Sequence, residues 1–360
     1  MSEERLKSLG GLVERNGLKK RCRIDRLRTG MKLGKDVISI EKNFLLAEGT
    51  IITRAHIEHL RNLKLGFVYI MDVPADRSGQ DLYAFEKKYE QVMVSVKLAF
   101  EHVRLFNEVP LMQMRELVDF SINPVLETVG ILEYLHKIQK QDCYTYRHSL
   151  NVAIISGIIG KWCKYQGREL SDLILAGLLH DIGKVQVPLH ILNKPGRLTA
   201  KEMAEIRKHP DYGYKLVERL NLSQNIKTAI LQHHERNDGS GYPKGRKAAE
   251  ICDYAGIIAV ADVYDAMTTN RVYRQKQTPL LAAEVILEQM YGQLNPYICN
   301  TFLSYLKDAC IGASVRLSDG QTAQIMHIDP QTICRPIVRT SDGDLIDLEI
   351  NRKIDLLEFV

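Results

Sequence analysis

The sequence predicts a mainly α-helical protein with a small α+β module before the helices and a short β segment after them. Three observations predict this fold class. Apolar residues recur four apart over residues 81–140, helix-like apolar runs fill residues 144–308, and alternating apolar residues surround two Asp-Gly turn pairs in residues 311–360. The 360-residue chain is 45% hydrophobic and 26% charged, a globular composition that excludes collagen-like and disordered proteins.

Two N-terminal segments precede the helices. Residues 1–20 lack apolar periodicity and are predicted to be a basic, mobile leader. Residues 21–75 combine short strand-like runs with a helix at 53–63 and a strand at 67–71, which predicts a small α+β accessory module. The polar, turn-rich residues 72–80 are typical of a domain boundary.

Three further segments follow the module. Residues 76–135 are predicted to be a helical connector, and residues 136–310 are predicted to be the main helical domain, with breaks at glycine and proline. Residues 311–360 are predicted to be a β-rich segment, with tight hairpin turns at Asp319-Gly320 and Asp342-Gly343.

The net charge of +5 lies entirely at the N-terminal end. Residues 1–28 hold nine basic and four acidic side chains, and the rest of the chain holds forty of each. This distribution does not favour a protein-wide basic surface for nucleic acid, so no nucleic-acid partner is predicted. We interpret the leader as a solvated arm, with a nucleic-acid or membrane-surface role as the alternative.

The compartment is predicted from apolar runs and cysteines. No apolar run approaches the roughly 20 residues that span a bilayer, and the charged N-terminus lacks the apolar region of a secretory signal. The seven cysteines are scattered, and none forms a C-x-x-C pair. We therefore expect a cytoplasmic protein with reduced thiols and no membrane span.

Five of the eleven histidines form an organised set in the helical region. They are His148, His180, His209, His233 and His234. Asp181 and Asp262 each follow an apolar helical run, and a buried carboxylate is costly unless it is paired or binds a metal. Imidazole and carboxylate ligands together suit iron, manganese or zinc. The pattern therefore predicts a metal site. The other six histidines lack such companions and are interpreted as ordinary core or surface residues: His56, His59, His102, His136, His190 and His327.

Two features near His180 extend this prediction. Adjacent helical residues point about 100° apart, so His180 and Asp181 can both face one centre while a second carboxylate oxygen bridges to another ion. Lys184 lies three residues after Asp181 and four after His180, which places it on the same helix face. Lys184 is predicted to point at an anion bound by the metals, and the alternative is a solvent-facing lysine.

Seven segments of the helical region match one known pattern. They are, in chain order, YTYRHS at 144–149, HDIGKV at 180–185, LNKPGRLT at 192–199, HHER at 233–236, DGSGYP at 238–243, VADVYDAM at 260–267 and RVYR at 271–274. They resemble the HD-GYP family, bacterial phosphodiesterases that hydrolyse cyclic di-GMP and form a branch of the HD metal-dependent phosphohydrolase superfamily. The resemblance covers about residues 136–300 and implies an HD-type helical bundle as the catalytic domain.

The resemblance also implies roles for individual residues. Two divalent ions, iron or manganese, are expected. One would be held by His148, His180, Asp181 and Asp262, and the other by His209, His233 and His234, with Asp181 bridging. Asp181 and Lys184 would be catalytic, with Lys184 on the scissile phosphate. Tyr242, Arg271 and Arg274 would contact the dinucleotide, and Asp265 would support Asp262.

Three departures from the family pattern qualify the expectation. Tyr144 stands where members with a third metal carry glutamate, so we expect two metals. Gly256 replaces an arginine of many members, and Arg274 replaces a lysine of some, which keeps the charge but changes its geometry. No core ligand is missing, so an active enzyme is expected.

The expected reaction is hydrolysis of cyclic di-GMP to the linear dinucleotide and then GMP, by a hydroxide that two metals activate. One alternative is a phosphohydrolase for another, mixed cyclic dinucleotide. A second is a non-catalytic cyclic-dinucleotide sensor, and a third is a DNA-binding regulator that uses the leader. Protein partners at the Gly-Tyr-Pro loop or the N-terminal module, and a homodimer, are further expectations.

Overall fold

The computed structural model describes residues 19–24, 27, 31–38, 44–63, 66–71, 78–128, 130–138, 144–270 and 276–360. The chain forms two compact units. One consists of the described residues before Ser78 together with Asp308–Ala313, and the other consists of the described residues of Ser78–Lys307 together with Ser314–Val360. The domain limits expected from the sequence stay predictions, and residues 1–18 of the predicted leader lie outside the described residues.

The N-terminal unit is the predicted α+β module. Its elements are β1 (Lys19–Arg23), β2 (Lys32–Leu33), β3 (Val37–Ile38), β4 (Phe44–Leu46), α1 (Arg54–Asn62) and β5 (Phe67–Met71). The antiparallel order β1-β5-β2 forms one sheet, and β3 pairs with β4. The Thr53 hydroxyl accepts a hydrogen bond from the His56 amide and so caps α1 at its predicted start. Leu33, Ile52 and Leu60 are fully buried in its core.

The second unit is predominantly helical, as predicted. Its helices are α2 (Ser78–Phe106), α3 (Leu111–Leu117), α4 (Asn123–Val125), α5 (Ile131–Lys137), α6 (Tyr144–Trp162), α7 (Gly167–Leu179), α8 (Leu189–Leu192), α9 (Ala200–Ile206), α10 (His209–Val217), α11 (Gln224–Gln232), α12 (Asp253–Thr268), α13 (Pro279–Met290) and α14 (Pro296–Cys310), whose last three residues belong to the N-terminal unit. Short 3-10 helices cover Ile182–Gln186 and Ala248–Glu250. A π-helical turn, Val118–Ile122, precedes Pro124, which cannot donate a hydrogen bond to the Phe120 carbonyl.

Three long helices build the core around the predicted ligands. The apolar residues of α7 from Leu173 to Leu179 are all buried, and α6 and α12 are buried along most of their length. Such apolar burial stabilises the fold by roughly 25 cal/mol per Å² of surface removed from water. His148 lies on α6, His180 and Asp181 follow α7, and Asp262 lies on α12. The core therefore fixes the backbone that carries four of the seven predicted ligands.

The C-terminal strands form one antiparallel sheet. They are β6 (Ser314–Leu317), β7 (Thr322–His327), β8 (Ile337–Thr340), β9 (Leu345–Asp347) and β10 (Leu356–Phe359), in the order β10-β6-β7-β8-β9. The predicted Asp-Gly pairs connect β6 to β7 and β8 to β9. The pairing of β10 with β6 adds a strand that the hairpin pattern did not predict, because it joins segments distant in sequence. Among the described residues, no helix has the length and apolar character to cross a bilayer.

Candidate metal centre

The seven predicted metal ligands come together in two adjoining groups. We call His148, His180 and Asp262 the first group, and Asp181, His209, His233 and His234 the second group. Within each group, every residue offers a ligand atom that lies within 4.8 Å of those of the others. Residues from α6, the end of α7, the start of α10, the end of α11 and α12 thus converge on one centre.

Asp181 lies between the two groups. Its Oδ2 is 3.4 Å from His180 Nε2 and 3.6 Å from His148 Nε2. Its Oδ1 is 3.1 Å from His209 Nε2 and 3.9 Å from His233 Nε2. Each oxygen of the carboxylate therefore faces a different set of imidazoles, which is the arrangement that a bridging ligand requires.

Asp262 is the second carboxylate of the centre. Its Oδ1 is 3.2 Å from His148 Nε2, and its Oδ2 is 3.8 Å from His234 Nδ1. Although burial acts to raise the pKa of Asp262, the hydrogen bond and charge of His148 hold it well below its usual range. Asp262 is therefore ionised and available as an oxygen ligand.

Three imidazoles are oriented by the main chain. Nδ1 of His180 lies 2.7 Å from the Gly177 carbonyl oxygen. Nδ1 of His209 and Nδ1 of His233 each lie 2.8 Å from the carbonyl oxygen three residues earlier in the chain. Because a carbonyl only accepts, each Nδ1 carries the proton and leaves the Nε2 lone pair facing the centre.

His148 is oriented by a side chain instead. Its Nδ1 lies 2.7 Å from Oδ2 of Asp265, which is on the same helix as Asp262. Asp265 therefore contacts His148 directly. Burial acts to lower the pKa of His148, but hydrogen bonds to Asp262 and Asp265 raise it to about 9. A carboxylate on Nδ1 makes the imidazole a more basic ligand through Nε2.

The residues present fit divalent metal ions. His180 Nε2 is buried and has no hydrogen-bond partner among the described residues, which is unfavourable unless a ligand completes it. Burial and neighbouring imidazoles hold the pKa values of His233 and His234 well below their usual range, so both rings are neutral and can donate lone pairs. The donor set of imidazole nitrogen and carboxylate oxygen suits transition metals.

The centre opens to solvent on one side. His180, Asp181, His209 and His233 are at most 1% exposed, whereas the side chains of Asp262, His234 and Lys184 are 14%, 18% and 23% exposed. Lys184 Nζ donates a hydrogen bond to Asp181 Oδ2 rather than projecting freely. Burial acts to raise the pKa of Asp181, but the charge of Lys184 and contacts with the His180 and His209 imidazoles hold it well below its usual range.

Tyr242 in the Gly-Tyr-Pro loop borders this opening. Its ring stacks on His234 with centroids 4.7 Å apart and planes inclined by 28°. The Arg207 guanidinium lies 5.3 Å from the Tyr242 ring centroid, within the range of a cation–π contact. Burial and the nearby carboxylates of Asp181 and Asp262 raise the pKa of Tyr242, so its phenol stays protonated and can donate a hydrogen bond.

Glu235 anchors the same loop, a role that the sequence motif did not reveal. Its carboxylate is 2% exposed and accepts hydrogen bonds from the amides of Lys244 at 2.8 Å and Arg246 at 2.9 Å. At Gly241 an added Cβ would lie 2.4 Å from both the Arg236 nitrogen and the His234 carbonyl oxygen. The loop therefore packs directly on the backbone of a ligand, which only glycine permits there.

Gly183 provides a second close approach of backbones. An added Cβ would lie 2.0 Å from the His209 carbonyl oxygen and 2.4 Å from the Gly213 nitrogen. The 3-10 helix that follows Asp181 can thus pack against α10, which begins at His209. This contact explains how Asp181 and His209 approach within 3.1 Å.

Two of the predicted substrate contacts are not seen. Arg271 and Arg274 lie outside the described residues, so their roles stay predictions. Tyr144 begins α6, and its side chain is also outside the described part of the structure. The six histidines interpreted as ordinary residues lie outside both ligand groups.

The chain is similar in sequence to several known proteins. Residues 135–296 match the HD domain family. A cyclic di-GMP phosphodiesterase of Pseudomonas aeruginosa is 33% identical over 243 residues, which cover 67% of this chain and 58% of that protein. A cyclic di-GMP phosphodiesterase of Thermotoga maritima is 37% identical over 182 residues, which cover 49% of each chain. This chain therefore spans about half the length of these curated relatives.

Two further matches extend the comparison. A 3'3'-cGAMP-specific phosphodiesterase of Vibrio cholerae is 41% identical over 133 residues, which cover 36% of this chain and 30% of that protein. A solved structure of an HDG"Y"P protein from Bdellovibrio bacteriovorus has a TM-score of 0.53 at 18% identity, and the match covers 81% of this chain and all of that chain. The likeness between this chain and the Bdellovibrio protein shows a shared fold. The HD domain match identifies residues 135–296 as an HD domain, and the order of the motifs in this segment is similar to that of the HD-GYP family.

Proposed function

We propose that this protein is a metal-dependent phosphodiesterase that hydrolyses cyclic di-GMP to the linear dinucleotide and then GMP. The observation that supports this best is the position of Asp181, whose two oxygens face separate sets of imidazoles at 3.1–3.9 Å. Two bound divalent ions would supply a hydroxide nucleophile at neutral pH and neutralise negative charge on the phosphate.

The two groups assign the ligands of each ion. The first group would hold one ion together with Asp181, and the second group would hold the other. The mixture of imidazole and carboxylate donors supports iron or manganese as the metals, with selectivity also set by supply. The neutral imidazoles of His233 and His234 would bind without first having to release a proton.

The exposed edge of the centre would receive the substrate. The positive charge of Lys184 lies beside Asp181 Oδ2, the oxygen that faces the first group. A phosphate bound there would interact with this charge in a site that is partly shielded from water. Tyr242 would offer its protonated hydroxyl and the free part of its ring to the dinucleotide. Arg271 and Arg274 stay predicted contacts for the phosphate or the guanine base.

Relatives support two cyclic dinucleotides as substrates. Cyclic di-GMP is supported by the Pseudomonas and Thermotoga proteins, which have the longer matches. A mixed cyclic dinucleotide is the second candidate, because the Vibrio cholerae protein specific for 3'3'-cGAMP is 41% identical over its matching 133 residues. Side-by-side rates with the two nucleotides at equal concentration distinguish these candidates.

The proposal is tested by metal analysis coupled to a nucleotide assay. Protein purified without oxygen is analysed for bound iron and manganese, and its hydrolysis of cyclic di-GMP is followed by chromatography. We expect two metals per chain, appearance of the linear dinucleotide and then GMP, and no activity in His180→Ala. His190→Ala is the matched control, since His190 is exposed and lies outside both groups.

Three other outcomes would change the proposal. Binding of cyclic di-GMP without turnover in the metal-loaded protein would favour a sensor. Cleavage of only the mixed cyclic dinucleotide would change the substrate. Fewer than two metals in an active protein would exclude the dinuclear reaction. Protein partners of the Gly-Tyr-Pro loop or the N-terminal module, a homodimer and a cytoplasmic location stay predictions.

A further inference from the structure

A chain of buried hydrogen bonds runs from α2 to a ligand of the first group. The Tyr89 hydroxyl donates to Asn151 Oδ1 at 2.6 Å. Asn151 Nδ2 donates to Asp265 Oδ1 at 2.7 Å, and Asp265 Oδ2 accepts from His148 Nδ1 at 2.7 Å. The four side chains are between 2% and 4% exposed, so water does not compete with these bonds.

The chemistry of each group fixes the direction of the chain. An ionised carboxylate only accepts, so both His148 Nδ1 and the Asn151 amide nitrogen must donate to Asp265. The Asn151 oxygen then faces Tyr89 and needs a donor, which the phenol supplies. Thr269 Oγ1 gives Asp265 Oδ1 a further donor at 2.9 Å. Removal of the Tyr89 hydroxyl would therefore leave a buried acceptor of Asn151 without its donor, at a cost in free energy.

Tyr89 lies well before the segment that matches the HD domain. It is on α2, whereas the match begins at residue 135. Its ring also packs against Phe85, with centroids 6.0 Å apart, and the Arg147 guanidinium lies 5.4 Å from its centroid. These contacts hold the ring in place without its hydroxyl, so replacement by phenylalanine removes the hydrogen bond while the packing is kept.

We propose that Tyr89 is a positioning residue of the metal centre, which acts through Asn151 and Asp265 to fix the orientation of His148. The inference rests on the proposed function to the extent that His148 binds a metal. Part of the first group's affinity for a metal ion would then depend on the helical connector rather than on the HD domain. Outer partners of histidine ligands typically change metal affinity by about 10- to 100-fold.

The first test is Mn²⁺ binding to the metal-free full-length protein by isothermal titration calorimetry. We expect Tyr89→Phe to weaken one of two Mn²⁺ sites measurably, but by less than the roughly 10- to 100-fold that follows loss of a direct partner of a histidine ligand, because Tyr89 is two hydrogen bonds further out. Tyr254→Phe is the matched control. Tyr254 is a buried tyrosine like Tyr89, but it lies on α12 and its hydroxyl donates to the Glu169 carbonyl oxygen at 2.7 Å, outside the chain of hydrogen bonds that leads to His148. Tyr254→Phe should bind both ions like the unmodified protein.

A double substitution tests the route. If Tyr89 acts through Asn151, Tyr89→Phe should weaken Mn²⁺ binding far less in an Asn151→Leu background than in the unmodified protein. Full additivity of the two effects would overturn the route. Unchanged Mn²⁺ affinity in Tyr89→Phe, or equal losses in Tyr89→Phe and Tyr254→Phe, would overturn the positioning role itself.

A second readout separates this inference from the proposed function. The Nδ1 proton of His148 can be followed by NMR in the metal-free protein and assigned by its loss in His148→Gln. We expect its resonance to shift in Tyr89→Phe and to stay in place in Tyr254→Phe. If the unmodified protein binds no Mn²⁺, the proposed function fails, but the position of this resonance still shows whether the hydrogen bonds from Tyr89 reach His148. An unshifted resonance with normal Mn²⁺ binding would overturn the inference alone.

Discussion

His148 of the first group is oriented by a side chain, whereas His180 of the same group is oriented by the main chain, as His209 and His233 of the second group are. In the second group, His209 and His233 are oriented by main-chain carbonyls three residues earlier. In the first group, His148 depends on the Asp265 side chain. A carbonyl cannot be removed by substitution, whereas a carboxylate can. The hydrogen bond that orients His148 can therefore be removed by substituting Asp265, a residue outside both groups, whereas the bonds that orient His209 and His233 cannot be removed in this way.

Asp181→Asn should have the largest effect, because it breaks both groups at once. The amide has one oxygen to accept with, and its nitrogen would face either His180 or His209. We expect loss of at least one metal per chain and a fall in cyclic di-GMP hydrolysis of more than about 10³-fold, beyond the usual effect of one catalytic group. Metal analysis and the chromatographic assay measure these losses.

The control for Asp181→Asn is His327→Ala, since His327 is exposed and outside both groups. A variant that keeps two metals and normal hydrolysis would contradict the bridging role of Asp181.

Lys184→Met should lower the rate while both groups keep their metals. Methionine keeps an unbranched stem of similar length and removes the charge beside Asp181 Oδ2. We expect the turnover number to fall by about 10²- to 10³-fold, as for loss of one charged group that stabilises the transition state. Rates at saturating substrate and metal content together measure this effect. Metal loss equal to that of Asp181→Asn would show instead that Lys184 serves only to hold the carboxylate.

Asp265→Asn tests the comparison directly, because it should weaken the first group alone. His148 would lose its carboxylate partner, and the affinity for one ion should fall by about 10- to 100-fold. At limiting Mn²⁺ we expect one ion per chain by equilibrium dialysis, held by the second group. Asp172→Asn is a control of similar burial, since Asp172 pairs with Arg115 and Arg168 at 3.1 Å outside both groups. Equal weakening of both ions would remove the distinction between the groups.

His136 should give the smallest effect, because it belongs to neither group. Burial, followed by the charges of Lys276 and Lys137, lowers its pKa from 6.5 to about 4. As the pH falls, His136 therefore takes up its proton at a higher pH in the unfolded chain than in the folded chain. The contribution of neutral His136 to the free energy of unfolding is complete above pH 6.5 and is lost as the pH falls towards 4. Between pH 7 and pH 6 the loss is about 0.7 kcal/mol.

Urea denaturation of the unmodified protein and His136→Leu at both pH values measures this contribution. The variant should lose correspondingly less stability on going from pH 7 to pH 6. Parallel losses in the two proteins would show that His136 does not titrate as described.

Six of the seven ligands could be predicted from sequence because they follow an apolar run or stand in a short motif, whereas the role of His209 was implied only by the family resemblance. His180-Asp181 follows the buried end of α7, and His233-His234 follows α11. The turns at Asp319-Gly320 and Asp342-Gly343 were equally local signals, and both connect paired strands. Local patterns were sufficient for residues whose own segment carries a sequence signal.

The supports of the centre could not be predicted in this way. Tyr89 and Asn151 are 62 residues apart, and His148 and Asp265 are 117 residues apart, so no periodicity connects them. Gly183 is one glycine among 24, and only the packing of backbones shows why it has no side chain. The strand pairing of β10 with β6 was missed for the same reason. Interactions between distant segments depend on the tertiary fold.

The ends of α7 and α11 have one more consequence. His180 and His233 are the C-cap residues of these helices, so two sets of terminal carbonyls lie beside the centre. The aligned peptide dipoles place partial negative charge there, which favours cations by about 0.3–1 kcal/mol per helix and disfavours anions. The start of α10 at His209 opposes this with partial positive charge, so two of these three helix ends favour a metal ion over a phosphate at the centre.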